Sequence, residues 1–335
     1  MFLAGITFLT VKEKIYLSNN LDSARSLALL SINDIEKLIN RSLNLKKNWD
    51  AKEAFRLAQA SLYICDTLKI RVILCTDSEY PELLKQIPDY PYLLFCRGDI
   101  KLLSGKNVSV VGTRRLSPEG KQAALDFAYE AVNDGCNVVS GLAWGADTYA
   151  HRGALNAYYD AVEKGDAAVK GKTVAVLPSS VDEIVPYQNK KLAAQIIESG
   201  GLLVSEYAPG VPVEKWHFVG RNRIIAGLSM ATLVVEAPVG SGALITADFA
   251  VEYNRDLMFH TACFSDNADF ISGIIKNKLD KDFACGKVNK YKIENTPEKF
   301  CLQGAPVVNG YKEFCQAVAE APGFQNSPVQ GNLFE

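Results

Sequence analysis

From Asn107 onward the sequence alternates short β-rich runs with helical segments, and few architectures accommodate that alternation. The runs are NVSVVG, CNVVSG, KTVAVLP, GLLVSE, ATLVVEA and DLMFHTA. Between them, segments such as PEGKQAALDFAYEAVNDG and NKKLAAQIIESG carry helical apolar spacing, and each ends on a glycine suited to a left-handed C-cap, Gly135 and Gly200. Repeated strand–helix units predict an α/β fold built on a mainly parallel sheet.

Residues before this region read differently. LDSARSLALL, SINDIEKLINRSL with Ser31 as N-cap, and WDAKEAFRLAQASLYICDTL are three helical stretches, and the opening MFLAGITFLTVKEK reads as the start of a core helix. A strand-and-turn connector follows, punctuated by Pro81, Pro88, Pro91 and Gly98. The expected organisation is a small helical domain over 1–75, an extended sheet domain over 76–320 and a loose tail over 321–335. Two polar stretches, 157–170 and about 264–300, interrupt the rhythm and read as insertions.

Several classes are set aside by composition. No apolar stretch approaches the roughly 20 residues that span a bilayer, and the N-terminus lacks the basic segment of a secretory signal. The eight cysteines include no CxxC pair and accompany only three histidines, so they are expected to stay reduced, with no metal and no cofactor. The formal net charge is −2, so bulk electrostatics announce no nucleic acid and any such site must be a local patch. Residues 101–121 supply one candidate, with Lys101, Lys106, Arg114, Arg115 and Lys121 against Glu119 alone. A second, 190–223, is more mixed and also fits an ordinary solvated surface.

Ligands of open parallel sheets gather beyond the carboxyl ends of the strands, where loops enter helix N-termini. The first such loop, VVGTRRLSPEG, offers Gly112 for close backbone approach and Arg114 and Arg115 for charge; GxGxxG and GK[ST] are both missing. In the second, SGLAWGADTYAHRGAL, Gly141 and Gly145 frame a small-residue turn. Asp147 and His151 share a face if the helix begins near Gly145, for acid–base work or for fixing the loop. In the third, HFVGRNRIIAGLSMATLVVEAPVGSGALITADFA, Arg221 and Arg223 flank Asn222, either as phosphate-binding forks or as a surface salt-bridge cluster. Gly240, Ser241, Gly242 and Thr246 follow at a second anion-ready helix start.

The ordered blocks VGTRR, SGLAWGAD–AHRGAL, SEYAPG, GRNRIIAGLS, VVEAPVGSGALITA and QGAPVV resemble the DNA-processing protein A (DprA/Smf) family across roughly residues 25–315. The resemblance implies an extended Rossmann-like domain that binds single-stranded DNA, forms homodimers and helps load RecA recombinase in natural transformation, in the cytoplasm and without catalysis. Carried onto this chain, the family's basic pocket falls on Arg114, Arg221, Asn222 and Arg223, with a lysine at Lys190 or Lys191. Gly112, Ser241 and Gly242 would line the DNA path. The family's remaining loop positions fall on Gly141, Asp147, His151, Glu206, Glu236 and Thr246, expected to fix the loops. Bases could stack on Trp144, Tyr187 or Phe218, each of which could equally be a core residue.

The chain departs from the family at Phe218-Val219, at Val185-Pro186 and at Thr261-Ala262, where Phe-Pro, Tyr-Pro and Pro-Gly are usual, and it is expected to lack a winged-helix domain after the sheet. Two other classes stay in view: a phosphoribohydrolase-like enzyme drawing on Asp147, His151, Glu206 and Glu236, and a nucleotide sensor using the same crevice. The DNA reading requires guanidinium groups free at the crevice mouth and not locked in internal carboxylate pairs.

Overall fold

The protein is represented by a computed structural model, described for residues 1–43, 45, 49–165 and 170–320. The chain opens in a series of turns, where the sequence predicted helix. The Gly5 amide donates back to the carbonyls of Met1 and Phe2, so Phe2, Ile6 and Leu9 reach the core from turns. Helix α1 (Val11–Asn20) starts only at Thr10, through a reciprocal capping box with Glu13. α2 (Ala24–Ala28), α3 (Ile32–Ile39) and α4 (Ala51–Leu68) complete the bundle. Ser31 caps α3 as the sequence indicated. Leu17, Leu27 and Ile35 close the small core with Phe2, Ile6 and Leu9, beside Trp49 and Phe55. The Ser61 hydroxyl donates to the Pro209 carbonyl at 2.7 Å and ties α4 to the sheet region.

β1 (Arg71–Leu74), α5 (Glu82–Lys85) and β2 (Leu93–Gly98) form the connector. The alternating region then supplies β3 (Asn107–Val111), α6 (Pro118–Asn133), β4 (Asn137–Ser140), α7 (Ala146–Glu163), β5 (Thr173–Val176), α8 (Lys190–Glu198) and β6 (Leu202–Ser205). It continues through α9 (His217–Gly220), α10 (Asn222–Leu228), β7 (Ala231–Val234), α11 (Gly242–Glu252) and β8 (Asp256–His260). α12 (Asp266–Ala284), α13 (Lys290–Glu294), α14 (Pro297–Leu302), β9 (Val307–Val308) and α15 (Tyr311–Glu320) end the described chain. All six predicted strands are present. Gly135 and Gly200 adopt φ of 95° and 81° after α6 and α8, a conformation that glycine tolerates best.

The nine strands form one sheet in the order β1-β2-β6-β5-β4-β3-β7-β8-β9. Pairing from β6 to β9 is parallel, and β2 and β1 extend the sheet antiparallel. β3 to β7 are buried along their whole length, as strands covered by helices on both faces must be. This is the α/β, Rossmann-like class that the alternation predicted. The chain steps from β3 to β6 in one direction and then returns to place β7 on the other side of β3. The carboxyl ends of β3 and β7 are therefore the switch point, the end of an open α/β sheet at which ligands usually bind.

The polar stretch at 264–300 folds into α12 to α14 and braces both the loop after β7 and the start of α6. The Ser272 hydroxyl accepts from the Val239 amide, the Asn295 carbonyl accepts from the Gly240 amide, and the Asn267 side-chain amide donates to Glu119. The other stretch begins inside α7, and its residues 166–169 lie outside the described residues, as does the tail at 321–335.

Candidate functional site

At the switch point the backbone of the first loop is fixed from both sides. The Thr113 amide donates to the Glu236 carbonyl at 2.7 Å, and the Ala146 amide donates to the Thr113 carbonyl at 3.1 Å. A Cβ at Gly112 would stand 2.7 Å from the Ala146 methyl and 3.0 Å from the Glu236 carbonyl, so the three strands' loops meet only because the residue is glycine. The Glu236 side chain is buried and turns toward the start of α6. It accepts from the Ser117 amide at 3.0 Å and from the Ser117 hydroxyl at 2.7 Å, while that hydroxyl accepts from the Gly120 amide. Burial raises the Glu236 pKa against the opposing Ser117 hydrogen bonds.

The second loop turns at Leu142 and Gly145, whose φ values are 59° and 81°, and α7 begins at Ala146 as expected. Asp147 and His151 lie on α7, both buried, and they bond to different partners. Asp147 accepts from the Ala143 amide and from Arg221 at 3.4 Å. His151 Nδ1 bonds the Thr173 hydroxyl at 2.7 Å, and that hydroxyl donates to the Val138 carbonyl. The imidazole proton therefore sits on Nδ1, leaving Nε2 without a partner among the described residues. Burial, and secondarily the Arg221 charge, push the His151 pKa down to about 3.

The Arg-Asn-Arg segment corrects the expectation of free guanidinium forks. Arg221 is only 4% exposed. Its Nη1 donates to the carbonyls of Gly141 and Val176 at the ends of β4 and β5, its Nε donates to Asn222 Oδ1, and its Nη2 faces Asp147. Burial pulls its pKa below the usual guanidinium value in spite of Asp147. Arg223 donates to both Glu206 oxygens at 2.8 and 2.6 Å and pairs with Asp89 through Nε at 2.9 Å. Burial works against its charge, yet Glu206 and Asp89 outweigh that and hold its pKa above the usual value. Asn222 is buried and donates to the Gly242 carbonyl at 3.3 Å. The physical reason is long-range: α10 runs beneath the loops, where carbonyls and carboxylates arriving from β4, β5, β6 and the connector need a cation.

Other predicted residues take mixed positions. Ser241 caps α11, its hydroxyl accepting from the Ala243 amide; Gly242 is exposed at the helix start; Thr246 is buried one turn further on. The four groups available for acid–base work, Asp147, His151, Glu206 and Glu236, are each engaged with a separate scaffold partner.

What remains open is a rim above this locked floor. Arg114 and Arg115 are exposed on the first loop, and the Arg114 guanidinium lies 5.5 Å from the centre of the half-buried Phe218 ring on α9. Trp144 is 52% exposed at the tip of the second loop. Asn189 donates to the Leu142 carbonyl and so holds the start of α8 against that loop, where Lys190 and Lys191 are exposed and Tyr187 is 74% exposed. The Lys190 ammonium lies 5.6 Å from the Tyr187 ring centre. Sequence reasoning missed two contributors. Asp89, in the proline-punctuated connector, gives no local signal of its reach to Arg223. Trp216, exposed beside α9, stands edge-on to the stacked Tyr207 and His217 rings, a cluster that the adjacent aromatic pair Trp216-His217 could have suggested.

The model of the family described as DNA recombination-mediator protein A matches residues 71–278. Protein Smf of Borreliella burgdorferi is 31% identical over 265 residues, covering 79% of this chain and 79% of that protein. Against several other curated relatives the match spans about half of the relative's length. The X-ray structure of DNA processing protein A (DprA) from Streptococcus pneumoniae superposes with a TM-score of 0.65 at 26% identity, covering 95% of both chains. A structure of DNA processing protein A from Helicobacter pylori, at 24% identity and a TM-score of 0.54, covers 75% of this chain and 96% of that one and shares the fold. No helix among the described residues is long and apolar enough to cross a membrane.

Proposed function

The chain belongs to the DNA recombination-mediator protein A family, and from that premise we propose that it is a single-stranded DNA-binding protein of DNA processing. The observation that carries the reading is the rim: exposed cations Arg114, Arg115, Lys190 and Lys191 interleave with the exposed aromatics Trp144, Tyr187 and Trp216 along contiguous loops at one end of the sheet. Cations track a phosphate backbone, aromatic faces take unpaired bases of any sequence, and a duplex hides its bases from such faces.

In this reading the arginines divide their work. Arg114, with Lys190 and Lys191, holds successive phosphates, and Gly242 offers the exposed start of α11 as a further contact. Arg221, Asn222 and Arg223 act from below: they fasten the loops, through Gly141, Val176, Asp147, Glu206 and Gly242, into a platform that spends little conformational entropy on binding. Phosphate gripping by Arg221 and Arg223 has no place in it: both are locked in internal carboxylate pairs, so the requirement set from the sequence fails for them, and the reading rests instead on the exposed cations Arg114, Arg115, Lys190 and Lys191. Catalysis forms no part of the proposal.

The Helicobacter protein is a single-strand binder; the support here comes from the rim. Protection of incoming DNA, loading of RecA, a homodimer and a cytoplasmic location are the family-level part of the proposal. Affinity for single-stranded and duplex oligonucleotides of several lengths, at two salt concentrations, tests the central claim, with light scattering for mass. Tighter binding of longer single strands is expected. Equal affinity for duplex, or binding that ignores length, would sink it.

A further inference from the structure

In a doubly wound sheet the first strand–loop–helix unit at the switch point is where phosphates of small ligands settle, because the helix start presents unpaired amides and positive potential. In this protein the corresponding helix is α6, sixteen residues long, and its start is filled from within. The Glu236 carboxylate, 1% exposed, comes from the loop after β7 and crosses the switch point. It takes the Ser117 amide and hydroxyl, the donors that a phosphate oxygen would take. Gly120 on the first turn has no side chain, and a Cβ there would collide with Glu236 Oε2. The carboxylate thus occupies a fitted seat.

We propose that Glu236 is a specificity-determining residue: a built-in anion that occupies the phosphate seat of the fold and so refuses inorganic phosphate and mononucleotides. Negatively charged ligands are left with the exposed rim, where one phosphate makes few contacts and only a chain of them accumulates affinity. This goes beyond the DNA reading and does not require it, since the seat is closed whether or not the rim takes DNA.

The test uses the full-length protein, the Glu236→Ala and Glu236→Gln variants, and thermal unfolding with inorganic phosphate or AMP as probes. The wild type is expected to show no saturable shift. Glu236→Ala, with the seat emptied and the Ser117 donors freed, is expected to gain a saturable rise in Tm with phosphate and with AMP. Glu236→Gln, which still fills the seat, is expected to stay unresponsive. A Glu236→Ala protein that folds only with phosphate present supports the proposal in a stronger form. Saturable phosphate or AMP binding by the wild type overturns it, and so does a Glu236→Ala protein that neither probe stabilises or rescues. Single-strand affinity measured on the same samples separates the two claims: loss of oligonucleotide binding by the wild type would end the DNA reading and leave this one standing.

Discussion

The Arg221 guanidinium lies directly against the Cα of Gly141, in the space that any other residue's side chain would need. The pair welds the end of β4 to the start of α10, and Asp147 completes it as counter-charge. Arg221→Ala leaves a buried carboxylate unpaired, a loss of about 3–5 kcal/mol. Gly141→Ala expels the same guanidinium and should be comparably costly. In the double variant the second substitution should add less than about 0.5 kcal/mol, because the steric conflict has gone. Denaturant unfolding of the four proteins measures this coupling. Strict additivity would mean that the two residues do not share one space.

Arg114, Lys190 and Lys191 are exposed on loops and at a helix start, so their removal separates binding from folding. Arg114→Ala and Lys190→Ala with Lys191→Ala should each leave stability within about 0.5 kcal/mol of wild type. Single-strand affinity should fall, and the slope of log affinity against log salt should flatten by about 0.7 for every phosphate that is no longer neutralised. Fluorescence titration over a salt series reads both quantities. An unchanged slope would remove these residues from the phosphate path.

Trp144 and Tyr187 should behave in the opposite manner. Each is largely exposed, so Trp144→Ala and Tyr187→Ala remove ring surface without opening the core. A stacked base contributes about 1–3 kcal/mol, with no counterion released. The expected signature is weaker binding at every salt concentration with the slope retained, and quenching of Trp144 fluorescence on addition of oligonucleotide. Full affinity in both variants would leave the rim a purely electrostatic surface.

How far the sequence can be read follows from where each residue finds its partners. The six strands are legible because each is a short apolar run, such as NVSVV, whose neighbours on either side are helical. Ser31 is legible as a cap because its partner, Asp34, is three residues away. The opening ten residues mislead because Phe2, Ile6 and Leu9 fall at helical spacing, although Gly5 and the Thr10 cap favour turns before α1. α12 reads only as part of a polar insertion, since its buried side rests on few residues, chiefly Ala268 and Leu279. The Arg-Asn-Arg segment is where the sequence misleads most. Asp147 is 74 positions from Arg221, while Glu206 and Asp89 reach Arg223 from separate elements. Nothing within the segment distinguishes a phosphate fork from an internal clamp.

His151 supplies a prediction in pH. It is fully buried and neutral, with a pKa pushed down to about 3 from 6.5 by burial and by the nearby Arg221 charge. In the unfolded chain the same imidazole takes up a proton below about pH 6.5. Between these values the unfolded state binds the extra proton, so the stability contribution is complete above about pH 6.5 and drains away as pH falls toward 3. The limiting slope for one proton is about 1.4 kcal/mol per pH unit. His151→Leu, which fills similar space and also removes the Nε2 that has no partner among the described residues, should lose that component and become progressively more stable relative to wild type as acidity rises. The Ser117-bonded Glu236 carboxylate, whose pKa is raised, has the opposite sign and is common to both proteins, so it cancels in the difference. Urea unfolding of the two proteins from pH 7 to pH 4 isolates the His151 component; a difference that stays constant across that range would mean the imidazole titrates alike in the folded and unfolded chains.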